Sequence, residues 1–243
     1  MVIVHSIIFN GLDSYSEIGL AILNRPNIPH FKKQIEEVNI PGGEVVTFTA
    51  PSNQSNEGFE NGVLKVDAGL YNVTDIKAAV RKLKAFFKLN DSDNIVSLSD
   101  DAEYFYKVID ITFDEIINTV EPIIEVTVNF LLRPCEYTKA GKRVIQVSNN
   151  FTYKNTGTIY SRPLLKITGT GNVQITINNE TFQVKNIVDS VIIDSSLYEA
   201  YSNTVNFNSN MIGNFPILSP GNNIISYTGN ITKFEMTPNT RNL

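Results

Sequence analysis

The chain contains no tryptophan, a single cysteine and two histidines in 243 residues, and each shortage removes a class of function. Without tryptophan it lacks the strongest stacking platform for sugar rings. One cysteine, Cys135, rules out an intramolecular disulfide framework and a four-cysteine metal site. Cys135 reads as a half-buried small hydrophobe. A thiol nucleophile would need a histidine partner, and His5 and His30 both fall in the first 30 residues, beside prolines or in the opening strand. Charged residues make up only 19 %, so Asn, Ser and Thr carry much of the polar surface, and the net charge of -5 disfavours a binder of nucleic acid, which rests on clustered Lys and Arg. No run approaches the roughly 18 apolar residues of a membrane span. The start, Met-Val-Ile-Val-His, has no basic segment, and His5 and Ser6 interrupt the apolar stretch from Val2 to Phe9, so synthesis and folding in a cytoplasm are expected.

Reaction chemistry is equally sparse. The dinucleotide and phosphate glycine loops, the His-Glu-x-x-His helix and the Gly-x-Ser-x-Gly elbow do not occur. A glycosidase would need two carboxylates at a set separation, and no pair among the 25 Asp and Glu is singled out by its surroundings. Asp194, in Ile192-Ile193-Asp194-Ser195-Ser196, sits at a strand end, where Asp and Ser form side-chain-to-backbone turns. The Asp91 to Asn94 cluster lacks the loop length, central glycine and closing glutamate of a calcium-binding EF-hand. Catalytic, cofactor-binding and metal residues are therefore expected to number none, with no cofactor.

What is present is β-structure. Val2 to Phe9 reads as a strand followed by an Asn10-to-Ser14 turn, with further strands at Ile18 to Leu23, Lys33 to Ile40 and Glu44 to Ala50. The last two form a hairpin around Pro41-Gly42-Gly43. Pro51 to Gly62 is a polar loop. One helix is expected over about residues 75–89, with Thr74 as N-cap and Asp75 in its first turn. Ile76, Ala79, Val80, Leu83 and Phe87 share one face. Lys77, Arg81, Lys84 and Lys88 form the other: a solvated face, or a contact for an acidic partner or polyanion, partly neutralised by Asp91, Asp93, Asp100, Asp101 and Glu103. Tyr104 to Ile111 and Ile123 to Leu132 are strands, the second alternating between Ile124, Val126, Val128, Phe130, Leu132 and the polar Glu125, Thr127, Asn129. Phe113 to Val120 stays open between a short helix and an irregular excursion. Arg133-Pro134-Cys135-Glu136-Tyr137 is expected to break the strand, dividing the chain into domains 1–138 and 139–243.

Beyond the break, Leu164 to Thr168, Val173 to Ile177, Thr181 to Val184, Ile187 to Ile193, Ile224 to Tyr227 and Ile231 to Met236 read as many short strands, with Asn178-Asn179 as a hairpin turn. That pattern means an antiparallel β-sandwich. The fold class is thus mainly β, an N-terminal β-rich domain with one α-helix plus a C-terminal β-sandwich. Such a sandwich admits a second reading, a carbohydrate-binding lectin-like protein with Tyr198, Tyr201 and Tyr227 in place of tryptophan.

Several segments together resemble the distal tail protein (Dit) family of bacteriophages with long non-contractile tails and related prophages. Phe9-Asn10-Gly11-Leu12-Asp13-Ser14 followed by Ile18-Gly19-Leu20 is similar to the family's N-terminal signature. Pro41-Gly42-Gly43 falls where the family carries Pro-Gly-Arg and an acidic-Gly pair; Gly43, Glu44 and Val45 depart from it, so no arginine role carries over. Leu98-Ser99-Asp100-Asp101 with Tyr104-Phe105-Tyr106-Lys107 resembles its acidic turn and aromatic strand. Phe130 to Tyr137 is similar to the junction, with the Cys-x-Pro-Tyr order altered. Asn155 to Gly169, Ile192 to Ser195 and Gly213 to Asn223 resemble its later landmarks. The resemblance spans nearly the whole chain in order.

It implies a structural, non-enzymatic protein of the virion tail tip or baseplate, made in the bacterial host cytoplasm. The N-terminal domain would form a homo-hexameric ring joining the tail tube protein to the tail-tip protein. The C-terminal domain would be a galectin-like or carbohydrate-binding-module-like sandwich outside the ring that docks adhesion or receptor-binding proteins. No nucleic-acid or membrane contact is required. The length leaves no room for an inserted host-binding module. The extreme C-terminus, Thr237 to Leu243, is left open between the two domains.

Overall fold

A computed structural model describes residues 4–49, 58–71, 73–114, 117–120, 123–203 and 205–243. The chain forms two compact units, Met1–Glu136 and Tyr137–Leu243. The expected mobile loop at Pro51 to Gly62 lies for the most part outside the described residues.

The first unit opens on a hairpin. Strands β1 (Ile7–Phe9) and β2 (Leu12–Asp13) are joined by Asn10 and Gly11. Both have positive φ, 49° and 85°, as the twist-matched two-residue turn requires. A turn and then a strand from Ile18 were expected. Instead a helix, α1 (Ser14–Ile18), begins at Asp13, whose side chain accepts the Tyr15 and Ser16 amides, and ends on Gly19 at φ 75°. The strand β3 (Leu20–Ile22) starts only after that cap. Strands β4 (Ile35–Asn39) and β5 (Val45–Thr49) pair with each other as a separate two-stranded sheet.

Next comes β6 (Gly62–Leu70), a strand beyond those expected, in which Leu64, Val66, Ala68 and Leu70 alternate with Lys65 and Asp67. Helix α2 (Ile76–Phe86) follows. Its N-cap is Asp75 rather than Thr74, because the Asp75 carboxylate accepts the Ala78 amide at 3.1 Å. Then come β7 (Asn94–Leu98), a 3-10 turn over Ser99–Asp101, β8 (Tyr104–Phe113), β9 (Ile117–Val120) and β10 (Ile123–Thr138). The segment left open at Phe113 to Val120 is therefore the end of one strand and a second strand pairing with β10.

The main sheet runs β2-β1-β7-β8-β10-β6-β3. Its ends meet, since the Ile22 amide donates to the His5 carbonyl at 2.8 Å, so the sheet curls into a barrel-like wall with no long open edge between β1 and β3. Across β10 and β6, Ile124 faces Leu70, Val126 faces Ala68, Val128 faces Val66 and Phe130 faces Leu64. All eight are buried. Helix α2 covers this interior with Leu83 and Phe87, and the Phe87 ring lies 5.6 Å from both Phe9 and Phe130, at tilted and edge-on angles.

Contrary to expectation, β10 does not break at Arg133-Pro134. It continues to Thr138 and absorbs the proline through Cys135, which has φ 87° and falls one position out of the alternation that ends at Leu132. That is the behaviour of a bulge, which re-aims a strand without ending it. Cys135 is fully, not half, buried.

The second unit contains β11 (Ile145–Gln146), β12 (Phe151–Asn155), β13 (Leu164–Ile177), β14 (Glu180–Ile187), β15 (Ser190–Asp194), β16 (Glu199–Ser202), β17 (Val205–Asn206), β18 (Met211–Ile212), β19 (Gly221–Thr237) and β20 (Arg241–Asn242). Here the expectation of uniformly short strands is corrected. The two segments read at 164–168 and 173–177 are one strand, and so are those at 224–227 and 231–236. Glycines that looked like turns are bends: the β13–β19 register shifts around Gly169 and again before Gln174, without reversing the chain. One half of the β13–β19 pair is extended by β15, β16, β17 and β11, the other by β14, β18 and β12. Both halves fill one core, with Leu165, Ile167, Ile175, Phe182, Ile193 and Phe234 among its members. The result is the expected sandwich-like antiparallel fold, built from a shared pair of long bent strands. Asn178, at φ 57°, makes the expected β13–β14 turn with Asn179.

The extreme C-terminus runs back along the end of β10, with which β20 pairs. The Tyr153 hydroxyl meets that of Thr240 at 2.8 Å, the Thr138 amide donates to the Thr240 carbonyl at 3.0 Å, and buried Arg241 donates through Nε to the Tyr160 carbonyl at 2.9 Å.

Two substitutions test these cores in urea titrations. Phe87→Ala should destabilise the first unit by about 3–5 kcal/mol, by removing the ring on which α2 is seated. Gly229 has φ 109°, and a Cβ there would lie 2.6 Å from the Asn172 carbonyl oxygen. Gly229→Ala should therefore destabilise the second unit by about 1–3 kcal/mol or more, an unchanged midpoint being the contrary result.

Candidate assembly surfaces

The Phe9-to-Ser14 segment that carries the family resemblance proves to be a polar clasp. Asn10 accepts the Ile95 amide at 2.9 Å through Oδ1 and donates through Nδ2 to the Asn94 side chain at 3.0 Å. Asn94 in turn accepts the Asn90 amide and donates to the Asn90 and Ser92 carbonyls, closing the loop behind α2. Ser14, fully buried, accepts the Ile7 amide at 3.0 Å and donates to the Leu20 carbonyl at 2.8 Å. The Ser6 hydroxyl donates to Asp13. Partial burial would raise the Asp13 carboxyl, but the Ser6 hydroxyl and the Ser16 and Tyr15 amides hold it below its usual value. These residues organise backbone; nothing about them points to reaction chemistry.

The β4–β5 hairpin is different in kind. It projects from a neck at which Lys33 bridges Phe59, the Glu60 amide donates to Lys32, and the Gln34 amide donates to Gly58. Beyond the neck, Ile35, Val38, Ile40 and Val45 are all exposed, Ile35 at 56 % and Val45 at 54 %. A lone two-stranded hairpin is at best marginally stable in water, and exposed aliphatics on it add a free-energy cost that contact with another surface relieves. The arm begins at Ile35, and residues 50–57 lie outside the described residues. No periodicity could have revealed this, because a hairpin with neighbours and one without read alike.

Helix α2 presents Lys77, Arg81, Lys82, Lys84 and Lys88 to solvent. Of the nearby acids, Asp93 pairs with Lys107, and Asp100 with Arg25 at 3.6 Å. Among the described residues, no ion pair involves the helix cations.

In the second unit, an open groove of about 350 Å³ lies between the β13–β14 turn (Asn178, Asn179, Glu180) and the Gly213-to-Ser219 segment. Its one lining aromatic, Phe182, is 3 % exposed, so the groove offers no ring for a sugar to stack on. The three tyrosines weighed for sugar binding have separate neighbours. Tyr198 is packed edge-on against Phe215 at 5.7 Å, with the Arg162 guanidinium 4.9 Å over its ring. Tyr227 packs edge-on against Phe234 at 5.6 Å. Tyr201 sits on β16 opposite Ile192, its hydroxyl held above its usual pKa by burial and by Asp194 and Glu199. Asp194 forms the expected turn, accepting the Ser196 and Leu197 amides at 2.8 and 3.2 Å. His5 and His30 are exposed while Cys135 is buried. Among the described residues, no three His, Cys, Asp or Glu side chains gather as a metal site would need, and no helix is long and apolar enough to cross a membrane.

The chain is similar over 96 % of its length, and over 98 % of the other's, to the crystal structure of SPP1 Dit (gp 19.1), described as a paradigm of the hub adsorption apparatus in phages infecting Gram-positive hosts. The TM-score is 0.65 at 14 % sequence identity, so the likeness establishes the Dit-like fold. No family model matches the sequence, and no curated protein does.

The clasp makes a prediction with a definite sign. Because folding lowers the Asp13 pKa, its contribution is fully present above the unfolded carboxylate value near 4 and disappears as pH falls through the folded value. Asp13→Ala should cost about 0.5–2 kcal/mol at neutral pH and flatten the acid limb of the stability profile below about pH 4. Parallel profiles for the two proteins would show that the clasp does not depend on the charge.

Proposed function

We propose that the chain is a distal tail protein of a phage or prophage, a structural hub at the tail tip. Six copies form a ring through their first units, joining the tail tube protein to the tail-tip protein. The second unit is a galectin-like sandwich placed outward, where it docks an adhesion or receptor-binding protein. The protein works as part of the virion after synthesis in the host cytoplasm, and its role calls for no catalysis. The observation that carries this reading is the whole-length likeness to a tail hub, supported by sequence landmarks that follow the family's order through both units. Ring formation needs two different surfaces on one protomer that meet head to tail with a closing rotation. The β4–β5 arm supplies one such surface.

The test is negative-stain electron microscopy of purified full-length protein, with light-scattering mass across a concentration series. Six-fold rings, single or stacked, are the expected outcome; a monomer at every concentration contradicts it. Removing residues 140–243 should leave the number of protomers per ring unchanged, since the first unit supplies the ring contacts. Dispersal of a truncation that is still folded would move those contacts to the second unit.

A further inference from the structure

Charge is distributed unevenly over the first unit. From Ile76 to Phe86, helix α2 carries Lys77, Arg81, Lys82 and Lys84 and no acid, and Lys88 extends the row beyond its end. Like charges four apart on a helix repel, so the segment tolerates a local cost that an opposing surface would reverse. None of the ion pairs among the described residues involves these cations, and Asp93 and Asp100 are engaged elsewhere. The arm is the inverse case. From Ile35 to Thr49 it contains Glu36, Glu37 and Glu44 and no cation, and Glu37 and Glu44 are exposed beside the exposed aliphatics. Ile76, 38 % exposed at the start of α2, offers an apolar contact on the same helix as the cations.

We infer that the occupant of the basic α2 face is a second copy of this chain, whose acidic β4–β5 arm lies across it. The contact joins two different surfaces, so each protomer gives an arm and receives one. That is the heterologous geometry a closed ring requires. The inference rests on the ring reading above and specifies which surfaces meet. Opposite charges set partner and register, while Ile35, Val38, Ile40 and Val45 provide the apolar contact.

Full-length protein and three variants decide it, each first checked for unchanged circular dichroism: Arg81→Glu with Lys84→Glu on the helix, Glu37→Lys with Glu44→Lys on the arm, and all four together. All four positions are exposed, outside either core. Light-scattering mass is followed against concentration at low salt and at about 0.5 M salt. Each two-site variant should need at least about ten-fold more protein to assemble, the four-site variant should recover, and added salt should weaken the wild type. Two-site variants that assemble like the wild type would overturn the arm–helix contact and leave the ring reading standing. So would failure of the four-site variant to recover. A wild type that stays monomeric throughout would overturn both. A salt-sensitive dimer with the same rescue would uphold the contact and overturn the ring.

Discussion

Buried side-chain amides govern where this chain can turn. Asn10 and Asn94 bond to each other and to the backbone around Ile95, Asn90 and Ser92, which fixes the β1–β7 register and the exit from α2 together. Phe9 is thereby placed under Phe87, and the aromatic core of the first unit follows. The second unit uses the same device. Asn223, fully buried, holds Ser219 and Gly221 at the start of β19 and receives Asn178 from the β13–β14 turn. Asn155 holds Leu218 and the Gly157 amide. Backbone groups at interior strand ends must find partners, and a buried amide offers both a donor and an acceptor. Among the described residues, asparagine also accounts for six of the eight non-glycine residues at positive φ, where it tolerates the left-handed conformation better than most side chains. The low charge and high amide content of the sequence are thus part of how the fold is specified.

Much of the fold was legible because it rests on period-two alternation. The buried face of β10, the Asn178-Asn179 turn and the α2 core face at Leu83 and Phe87 all follow from local pattern. The strands that prove longer than expected share one cause. Glycine and proline usually end strands, whereas Gly169, Gly229 and Arg133-Pro134 lie inside strands that continue through a bend. Tertiary pairing, which no local window contains, decides between a turn and a bulge. Strand β6 was overlooked although its alternation was plain. The α1 turn was overlooked because its signal is a cap pair, Asp13 and Gly19, rather than a periodicity.

The candidate surfaces were legible only in part. The basic stripe on α2 could be placed from spacing, but whether nearby acids neutralise it depended on their own partners, Lys107 and Arg25. The arm's exposure was invisible for the converse reason: its residues carry an ordinary strand pattern, and only the absence of described neighbours sets it apart. Tyr198, attractive on paper as a sugar platform, is occupied by Arg162 and Phe215. On the proposed function, the working residues are those that look unsatisfied in the isolated chain.

The shared strands of the second unit also impose an order in time. One edge of β13 is closed by β14 and β15, which follow it directly in the chain, while the other edge is closed by β19. Gly221, where β19 begins, is 44 positions beyond Ile177, where β13 ends. At a synthesis rate of about 5–20 residues per second, the apolar centre of the sandwich waits several seconds with one ladder of amides and carbonyls unpaired. During that interval an incomplete chain carries an adhesive edge much like the one a neighbour's strand would seek. Any cell producing this protein in large numbers must therefore finish β19 faster than nascent chains find one another, and slow translation through residues 178–220 would lower the yield of soluble product more than slow translation elsewhere.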